Sequence, residues 1–354
     1  MMSNTFGRIL RLTTFGESHG PAIGGVLDGF PADISIDFNR IRHQLARRRP
    51  GQSAVTTART EADEPEFLSG VFEGKSTGAP IAFLIRNADK RSTDYDELRQ
   101  VFRPGHADET YTAKYGHRDH RGGGRSSARE TANWVLAGAL AAHLLPDVRV
   151  MAYTCQIGDI RLPADAVFSP DDIDKYPTRM PHPIASSSAE ELIADLKEQG
   201  DSVGGKVAVR VIGLPAGLGE PIFDKLHARL AHAMMTINAT RAFEIGSGTR
   251  AASMRGSEHN DMPADSQTFA TNHSGGVLGG ISSGRELAFE VTFKPTASIA
   301  KEQKALDAEG NVVDLAVRGR HDPCVVPRAV PVVEAMTWLV LADFYLLNRI
   351  HTLY

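Results

Sequence analysis

Cysteine is nearly missing: Cys155 and Cys324 are the two in 354 residues. A disulfide framework is therefore excluded, and a reducing compartment, the cytoplasm, is the expectation. Aromatic residues are also sparse at 7%, which counts against a surface built to stack on RNA bases. Neither sign of charge prevails. The formal net charge is −4, so a general nucleic-acid binder is disfavoured and any basic cluster must be local, its partner small. The most apolar run, Ala335 to Leu347, is too short to span a bilayer, contains Asp343 and reads as a core helix. No signal-peptide pattern is visible. With 42% hydrophobic residues, the chain has ample material for a buried core.

What is present is concentrated. From Phe102 to Thr131 the chain reads FRPGHADETYTAKYGHRDHRGGGRSSARET, with Arg103, Lys114, Arg118, Arg121, Arg125 and Arg129, three histidines and a triple glycine. Gly122 to Gly124 have no Cβ, so the backbone can bring N–H groups close to a ligand. Arg125, Ser126, Ser127 and Arg129 then fall where an alanine-rich helix begins, and a helix start adds unpaired N–H groups and a positive dipole end. Cations around bare backbone suit a phosphorylated anion. The bland alternative is a basic surface loop.

Phe6 to Thr13 and Ile23 to Phe30 read as strands flanking Gly16-Glu17-Ser18-His19-Gly20, a hairpin with a functional tip. Asp37 can cap a helix ending at Arg49, where Pro50 forbids continuation and Arg47, Arg48 and Arg49 favour the dipole. Ile81 to Arg86, Met151 to Ile157, Val207 to Ile212 and Leu287 to Phe293 read as strands. Ala128 to Leu145, Ala189 to Glu198 and Phe223 to Met235 read as helices. No regular βαβ spacing emerges, so the class is α+β. Leu162 to Ser188 is polar and reads as a surface excursion. Ile23 to Gly29 faintly echoes Gly275 to Gly280, hinting at duplication. No other composition break appears, so residues 1–354 are taken as one domain.

Several motifs tempt and fail. Gly70-Val71-Phe72-Glu73-Gly74-Lys75-Ser76 lacks the P-loop spacing by one residue. Gly246-Ser247-Gly248 has no helix to open. The histidines at 106, 117 and 120 with Asp119 are surrounded by arginines that would repel a divalent cation, so no metal is expected. Glu17-Ser18-His19 does not have the spacing of a nucleophile elbow. What survives is His19, His106, the arginines, and two turns, Lys294-Pro295-Thr296-Ala297-Ser298 and Arg320-His321-Asp322-Pro323-Cys324.

Taken in order, FGESHG at 15–20, RRRPG at 47–51, FRPGHAD at 102–108, RGGGRSSARET at 121–131, NHSGGVLGGISSG at 272–284 and GRHDPC at 319–324 resemble the chorismate synthase family. The resemblance runs from Phe6 to about Met336. It implies a β-α-β-α sandwich, usually assembled as a homotetramer. It also implies a lyase that needs reduced FMN and eliminates phosphate from 5-enolpyruvylshikimate 3-phosphate, giving chorismate on the shikimate route to aromatic amino acids. NADPH is the candidate reductant of the flavin.

By residue-to-residue matching, the family's substrate contacts fall on Arg48, Arg103, Arg129 and Arg320. Its flavin contacts fall on Arg125, Ser126, Ser127, Asn238, Ala239, Gly279, Lys294, Pro295, Thr296, Ala297, Ser298 and again Arg320. His19 would protonate the departing phosphate, His106 would donate to the reduced flavin, and Asp322 would help remove a flavin proton. The chemistry agrees, since a substrate with a phosphate and two carboxylates needs several charge-assisted contacts. Two departures stand out: Ala54, where the family commonly has a further arginine, which Arg48 or Arg47 must replace, and Thr240 to Gly248. Two other classes use the same residues: a non-catalytic binder of a phospho-ligand or RNA, whose affinity would fall steeply with salt, and a flavin oxidoreductase, which would consume its flavin stoichiometrically.

Overall fold

The first apolar run, Phe6 to Thr13, does not form one strand. The computed structural model, which describes residues 3–49, 63–87, 98–265, 268–317 and 322–351, divides it into β1 (Thr5–Phe6) and β2 (Arg11–Gly16). The cause is a distant side chain. Asp343 accepts the N–H groups of Arg8, Ile9 and Leu10 at 2.9, 2.8 and 3.0 Å, so these backbone donors are satisfied outside any ladder. β2 then turns through residues 17–21 into β3 (Ala22–Asp28), which gives the expected hairpin. Asp37 accepts from the N–H groups of Asn39 and Arg40 at 2.9 and 3.1 Å and caps α1 (Phe38–Arg48). β4 (Pro65–Phe67), a small hairpin of β5 (Val71–Phe72) and β6 (Lys75–Ser76), and β7 (Ile81–Arg86) follow. The antiparallel sheet order is β1-β2-β3-β7-β4.

β8 (Val101–Phe102) leads into α2 (Asp108–Tyr115), then through 3-10 turns at 124–126 and 128–130 into α3 (Thr131–Ala141). A second set comprises β9 (Arg149–Ile157), β10 (Ile160–Arg161), α4 (Pro170–Ile173), α5 (Pro183–Glu198), β11 (Gly205–Ile212) and α6 (Leu226–Thr236). It continues with β12 (Thr240–Ile245), α7 (Gly256–His259), the hairpin β13 (Val277–Leu278) and β14 (Ile281–Ser282), and β15 (Leu287–Phe293). This sheet is also antiparallel, in the order β10-β9-β11-β15-β12. β16 (Gln303–Asp307) and β17 (Val312–Leu315) join β8, and α8 (Val326–His351) ends the fold. The surface excursion expected over Leu162 to Ser188 is shorter than that. Thr178, Arg179 and Met180 are buried, and α5 starts at Pro183, a proline tolerated in the first helical turn, with the His182 side chain as cap.

α3 packs on β2 and β3, α8 packs on β9 and β11, and the two helices pack on each other. The result is sheet, helices, helices, sheet: the α+β sandwich class is the one expected, with the two helix layers adjacent between the sheets rather than alternating with them. The helix layers meet closely because Gly138 has no side chain; a Cβ there would lie 2.5 Å from the Cα of Ala335. α8 is long and apolar enough to cross a bilayer, but it is the central core helix, with 83% of its most apolar stretch buried.

The two sheets are versions of one another. Apart from inserted elements such as α2 in the first unit and α4 and α5 in the second, each unit runs strand, strand, helix, strand, hairpin, strand, helix, with equivalent strand order: β2-β3-β7-β4 against β9-β11-β15-β12. One buried hydroxyl marks the match. Ser76 donates to Pro31 O at 2.6 Å and accepts from Ile34 N at 3.0 Å; Ser282 donates to Pro215 O at 2.7 Å and accepts from Leu218 N at 2.9 Å. Thr77 N donates to Gly70 O as Ser283 N donates to Gly276 O, both at 3.0 Å. The P-loop-like string at 70–76 is thus the first copy of the hairpin at 276–282. The echo between Ile23 to Gly29 and Gly275 to Gly280 joins the wrong partners, because β3 corresponds to β11 and 29–33 (GFPAD) to 213–217 (GLPAG).

Replacing Asp343 by Ala would strand three backbone donors, a loss of about 2 to 4 kcal/mol, with Asn losing less. Urea unfolding of the two variants measures this; an Ala variant as stable as the parent would remove Asp343 as the cause of the strand break.

Candidate active site

The β2–β3 tip is held from outside. Asn87, just after β7, donates from Nδ2 to the carbonyls of Glu17 and Gly20 at 2.9 and 3.0 Å and accepts from Arg129 Nε at 2.9 Å. Ser18 and His19 are buried beneath the tip, each 4% exposed. The glycine segment closes over them: a Cβ on Gly122 would lie 2.7 Å from His19 Cδ2 and 3.0 Å from Ser18 Oγ. Gly122 also has φ +84°, a conformation that glycine alone adopts cheaply. Its carbonyl accepts from Arg103 Nη2 at 2.6 Å.

Arg103 is not a loose arm. Its Nε and Nη2 donate to the two oxygens of Asp108 at 2.8 and 2.9 Å, and Nη1 reaches Ser298 Oγ at 3.4 Å. His106 Nδ1 lies 2.9 Å and Arg118 Nη1 3.5 Å from Asp108 Oδ1. Burial pushes the Asp108 carboxyl up, but Arg103 and His106 outweigh it and hold the group well below the usual carboxylate range. Lys294 Nζ donates to Gly105 O at 2.7 Å, so the 294–298 turn lies beside the 103–108 turn.

A second cluster adjoins the first. Arg48 donates to Thr131 Oγ1 at 3.1 Å, Ala128 O at 2.7 Å and Asp63 Oδ2 at 3.1 Å. Arg129 donates to Asp63 Oδ1. Burial, abetted by the neighbouring Arg328 and Arg129 and opposed by Asp63, brings Arg48 down to about 10. Burial raises Asp63, yet Arg48 and Arg129 hold it below its ordinary value.

Beside these lies a cleft of about 940 Å³. Its walls include Phe6, Phe15, Tyr111 and Trp134, with Arg125, Ser126 and Asn238 as polar groups. Arg125 is fixed by Glu130 at 2.7 Å, Gly16 O at 3.1 Å and Thr14 Oγ1 at 2.9 Å, and Asn238 Nδ2 donates to Ser126 O at 2.8 Å. Burial raises Glu130 above its ordinary value, despite Arg125.

Of the residues singled out in the sequence, His19, His106, Arg48, Arg103, Arg125, Ser126, Arg129, Asn238, Lys294 and Ser298 are brought together. Ser127 caps the 3-10 turn through Arg129 N. Ala239, at φ +67°, accepts from Lys294 N at 2.9 Å. Pro295 and Ala297 flank Thr296, whose buried Oγ1 has no hydrogen-bond partner among the described residues. Asp322 pairs with Arg328. Gly279 stands apart at the β13–β14 turn and does not line the cleft. Arg47 turns away to Glu334 and Asp174 and is no stand-in for the arginine absent at Ala54. Arg320 and Ala54 lie outside the described residues. Burial pushes both cysteine thiols up to about 12, which disfavours the reactive thiolate.

Sequence reading missed Asp63, Asn87 and Asp108. Asp108 had a signal, a carboxylate two residues after His106 in a basic segment. Asp63 sits in an acidic run and Asn87 after a strand, with nothing local to mark either.

Comparison with known proteins gives one answer. Residues 10–346 match the family model described as chorismate synthase. A chorismate synthase of Porphyromonas gingivalis is 54% identical over 354 residues, covering 98% of this chain and 96% of the relative. One from Christiangramia forsetii is 51% identical over 350 residues, covering 99% of each. A solved structure titled as a chorismate synthase crystal structure superposes with a TM-score of 0.75 at 30% identity, covering 97% of this chain and 93% of that one. With a cleft flanked by buried arginines and two histidines and likeness along nearly its whole length, the chain belongs to the chorismate synthase family.

Proposed function

We propose that the cleft and the two adjoining arginine clusters form one site in which this chain eliminates phosphate from 5-enolpyruvylshikimate 3-phosphate to give chorismate. The family supports the reaction. The observation that carries the site is the convergence of His19, Gly122, Arg103, Asp108 and His106 in one contact chain. Arg48, Arg103 and Arg129 bind the anionic groups of the substrate. Each is held rigid before substrate arrives, which lowers the ordering cost of binding.

His19 holds a proton toward the leaving phosphate oxygen; an imidazole beside a phosphate favours its charged form. Its burial under Gly122 excludes water from that transfer. His106 holds a second proton on the flavin side, braced by Asp108. Asp322, a carboxylate against Arg328, would help take a proton from the flavin. Reduced FMN, when bound, supplies electron density transiently and recovers it, so that there is no net redox change.

The residues present fit such a cofactor. Phe6, Phe15, Tyr111 and Trp134 offer apolar walls to a planar ring. Arg125, Ser126, Ser127, Asn238 and the Lys294 to Ser298 turn offer polar groups, among them the unpartnered Thr296 Oγ1. We place Ala239 with them through its bond to Lys294; Gly279 would reach the flavin only from a separate surface. The whole chain is read as one domain, supported by a hydrophobic core that draws on both sheets. A cytoplasmic homotetramer is the proposed state. The exposed Phe72 and Leu278, at matching places in the two hairpins, are surfaces that such an assembly could cover.

The direct test is an anaerobic assay with the enolpyruvyl substrate and substoichiometric reduced FMN. Many turnovers of chorismate and phosphate per flavin are expected, and no product would defeat the reading. His19→Ala and His106→Ala should each reduce turnover by about 10² to 10⁴ with FMN binding retained; unchanged turnover in both would remove them as acids. Gly122→Ala, forced against His19, should lose at least about tenfold in turnover and about 1 kcal/mol or more in stability. Steady-state rates and thermal melting check it.

A further inference from the structure

We infer that Asp63 is a positioning residue for this reaction: its carboxylate holds Arg48 and Arg129 side by side as one receptor for an anionic group of the substrate. The inference rests on the reading that these two arginines bind substrate.

The geometry is specific. Asp63 has no solvent-exposed side-chain surface, and its two oxygens are divided between the guanidiniums, Oδ2 to Arg48 Nη1 and Oδ1 to Arg129 Nη1. Arg48 comes from the end of α1 and Arg129 from the turn before α3, their side chains 3% and 4% exposed. Two like charges brought that close in a low-dielectric site repel strongly. A shared anion between them holds them together. The two guanidiniums are further held by neutral acceptors, among them Thr131 Oγ1, Ala128 O, Asn87 Oδ1 and Arg86 O.

That arrangement is poorly explained as a stabilising device. A buried ion cluster of this kind is commonly no more stable than well-packed apolar residues of the same volume. It is well explained as a positioning device, since one carboxylate fixes two guanidiniums from separate elements in one place, where both can meet the same anion. The backbone also bends to the purpose. Asp63 stands at φ +50°, a left-handed conformation uncommon for residues other than glycine and concentrated at functional sites. The same contacts tie the receptor to catalysis: Arg129 is bonded to Asn87, and Asn87 holds the tip that carries His19. Asp63 thus anchors the anion receptor, which is linked through Asn87 to the tip that carries His19, without touching the reacting atoms.

The test is steady-state kinetics with 5-enolpyruvylshikimate 3-phosphate and reduced FMN, together with FMN affinity, on Asp63→Asn, Arg48→Ala and Arg129→Ala. For Asp63→Asn, KM should rise at least about tenfold, with kcat within about threefold and FMN affinity within about twofold, the pattern of lost substrate binding. A core residue with a merely structural role would impair all three together, with KM raised and both kcat and FMN affinity lowered beyond those limits, and that outcome overturns the inference. If both arginine variants raise KM while Asp63→Asn leaves it within about twofold, the inference alone fails; if neither arginine variant raises KM, the underlying reading fails. Should Asp63→Asn not fold, the charge-balanced double variant D63N/R129Q is compared with R129Q. A further rise in KM of at least about threefold is then expected, because Arg48 has lost its partner, and an unchanged KM overturns the inference.

Discussion

A guanidinium taken out of water must find acceptors and counter-charge, and that requirement organises everything around the cleft. Arg48, Arg103 and Arg129 are all nearly fully buried, and each is anchored by a carboxylate from another part of the chain or the next turn. Asp108 draws Arg103, His106 and Arg118 to one point; Asp63 draws Arg48 and Arg129 to another. Once the arginines are fixed, the backbone they bond to is fixed as well. Gly122 is pulled onto His19 by Arg103, and Asn87 is pulled to the hairpin tip beside Arg129. The histidines are placed by charge pairing among residues that do no proton transfer themselves.

This ordering explains how a site can be dry, cationic and rigid at once. Burial weakens the charged state of Arg48, while Asp63 supports it. An anion entering such a place meets donors that need no reorganisation, the condition under which electrostatic stabilisation is most effective. The cleft beside it is different in kind. It is walled by aromatic residues, and Arg125 there is braced through Nη1 and Nη2 by Glu130, Gly16, Thr14 and Asn4. One half is suited to a polyanion and the other to a flat, largely apolar ring.

Much of this was legible in the sequence wherever the cause is local. The Asp37 cap, the hairpin around Glu17 to Gly20, the alternation of Leu287 to Phe293 and the glycine-arginine segment all depend on neighbours within a few residues. What escaped depends on residues far apart. Nothing near Phe6 announces that Asp343 will claim three N–H groups and split the strand. Nothing near Asp63 announces two arginines, one 15 and the other 66 positions on either side. The duplication was the subtlest case. Its surviving traces are short, a serine bridging two backbone groups among them, and they read as ordinary turn composition until the two hairpins are compared in space.

The duplication also accounts for where the site lies. In each unit the connection after the first helix and the connection before the last helix carry the functional groups. After α1 come Arg49 and then Asp63; after α6, at the equivalent place, come Asn238 and Ala239. Between β7 and α3 lie Asn87, Arg103, His106 and the triple glycine; between β15 and α8 lie Lys294 to Ser298 and Asp322. The contacts that join the units run between these connections: Asn238 to Ser126, Lys294 to Gly105, Arg103 to Ser298. A repeated scaffold thus brings equivalent loops to one place. Since the loops are free to diverge while the sheets that carry them are not, one copy could specialise in the arginine receptor and the other in cofactor contacts. The cost is that neither copy is sufficient, and a displacement of one sheet against the other would part the two halves of the site before it unfolded either.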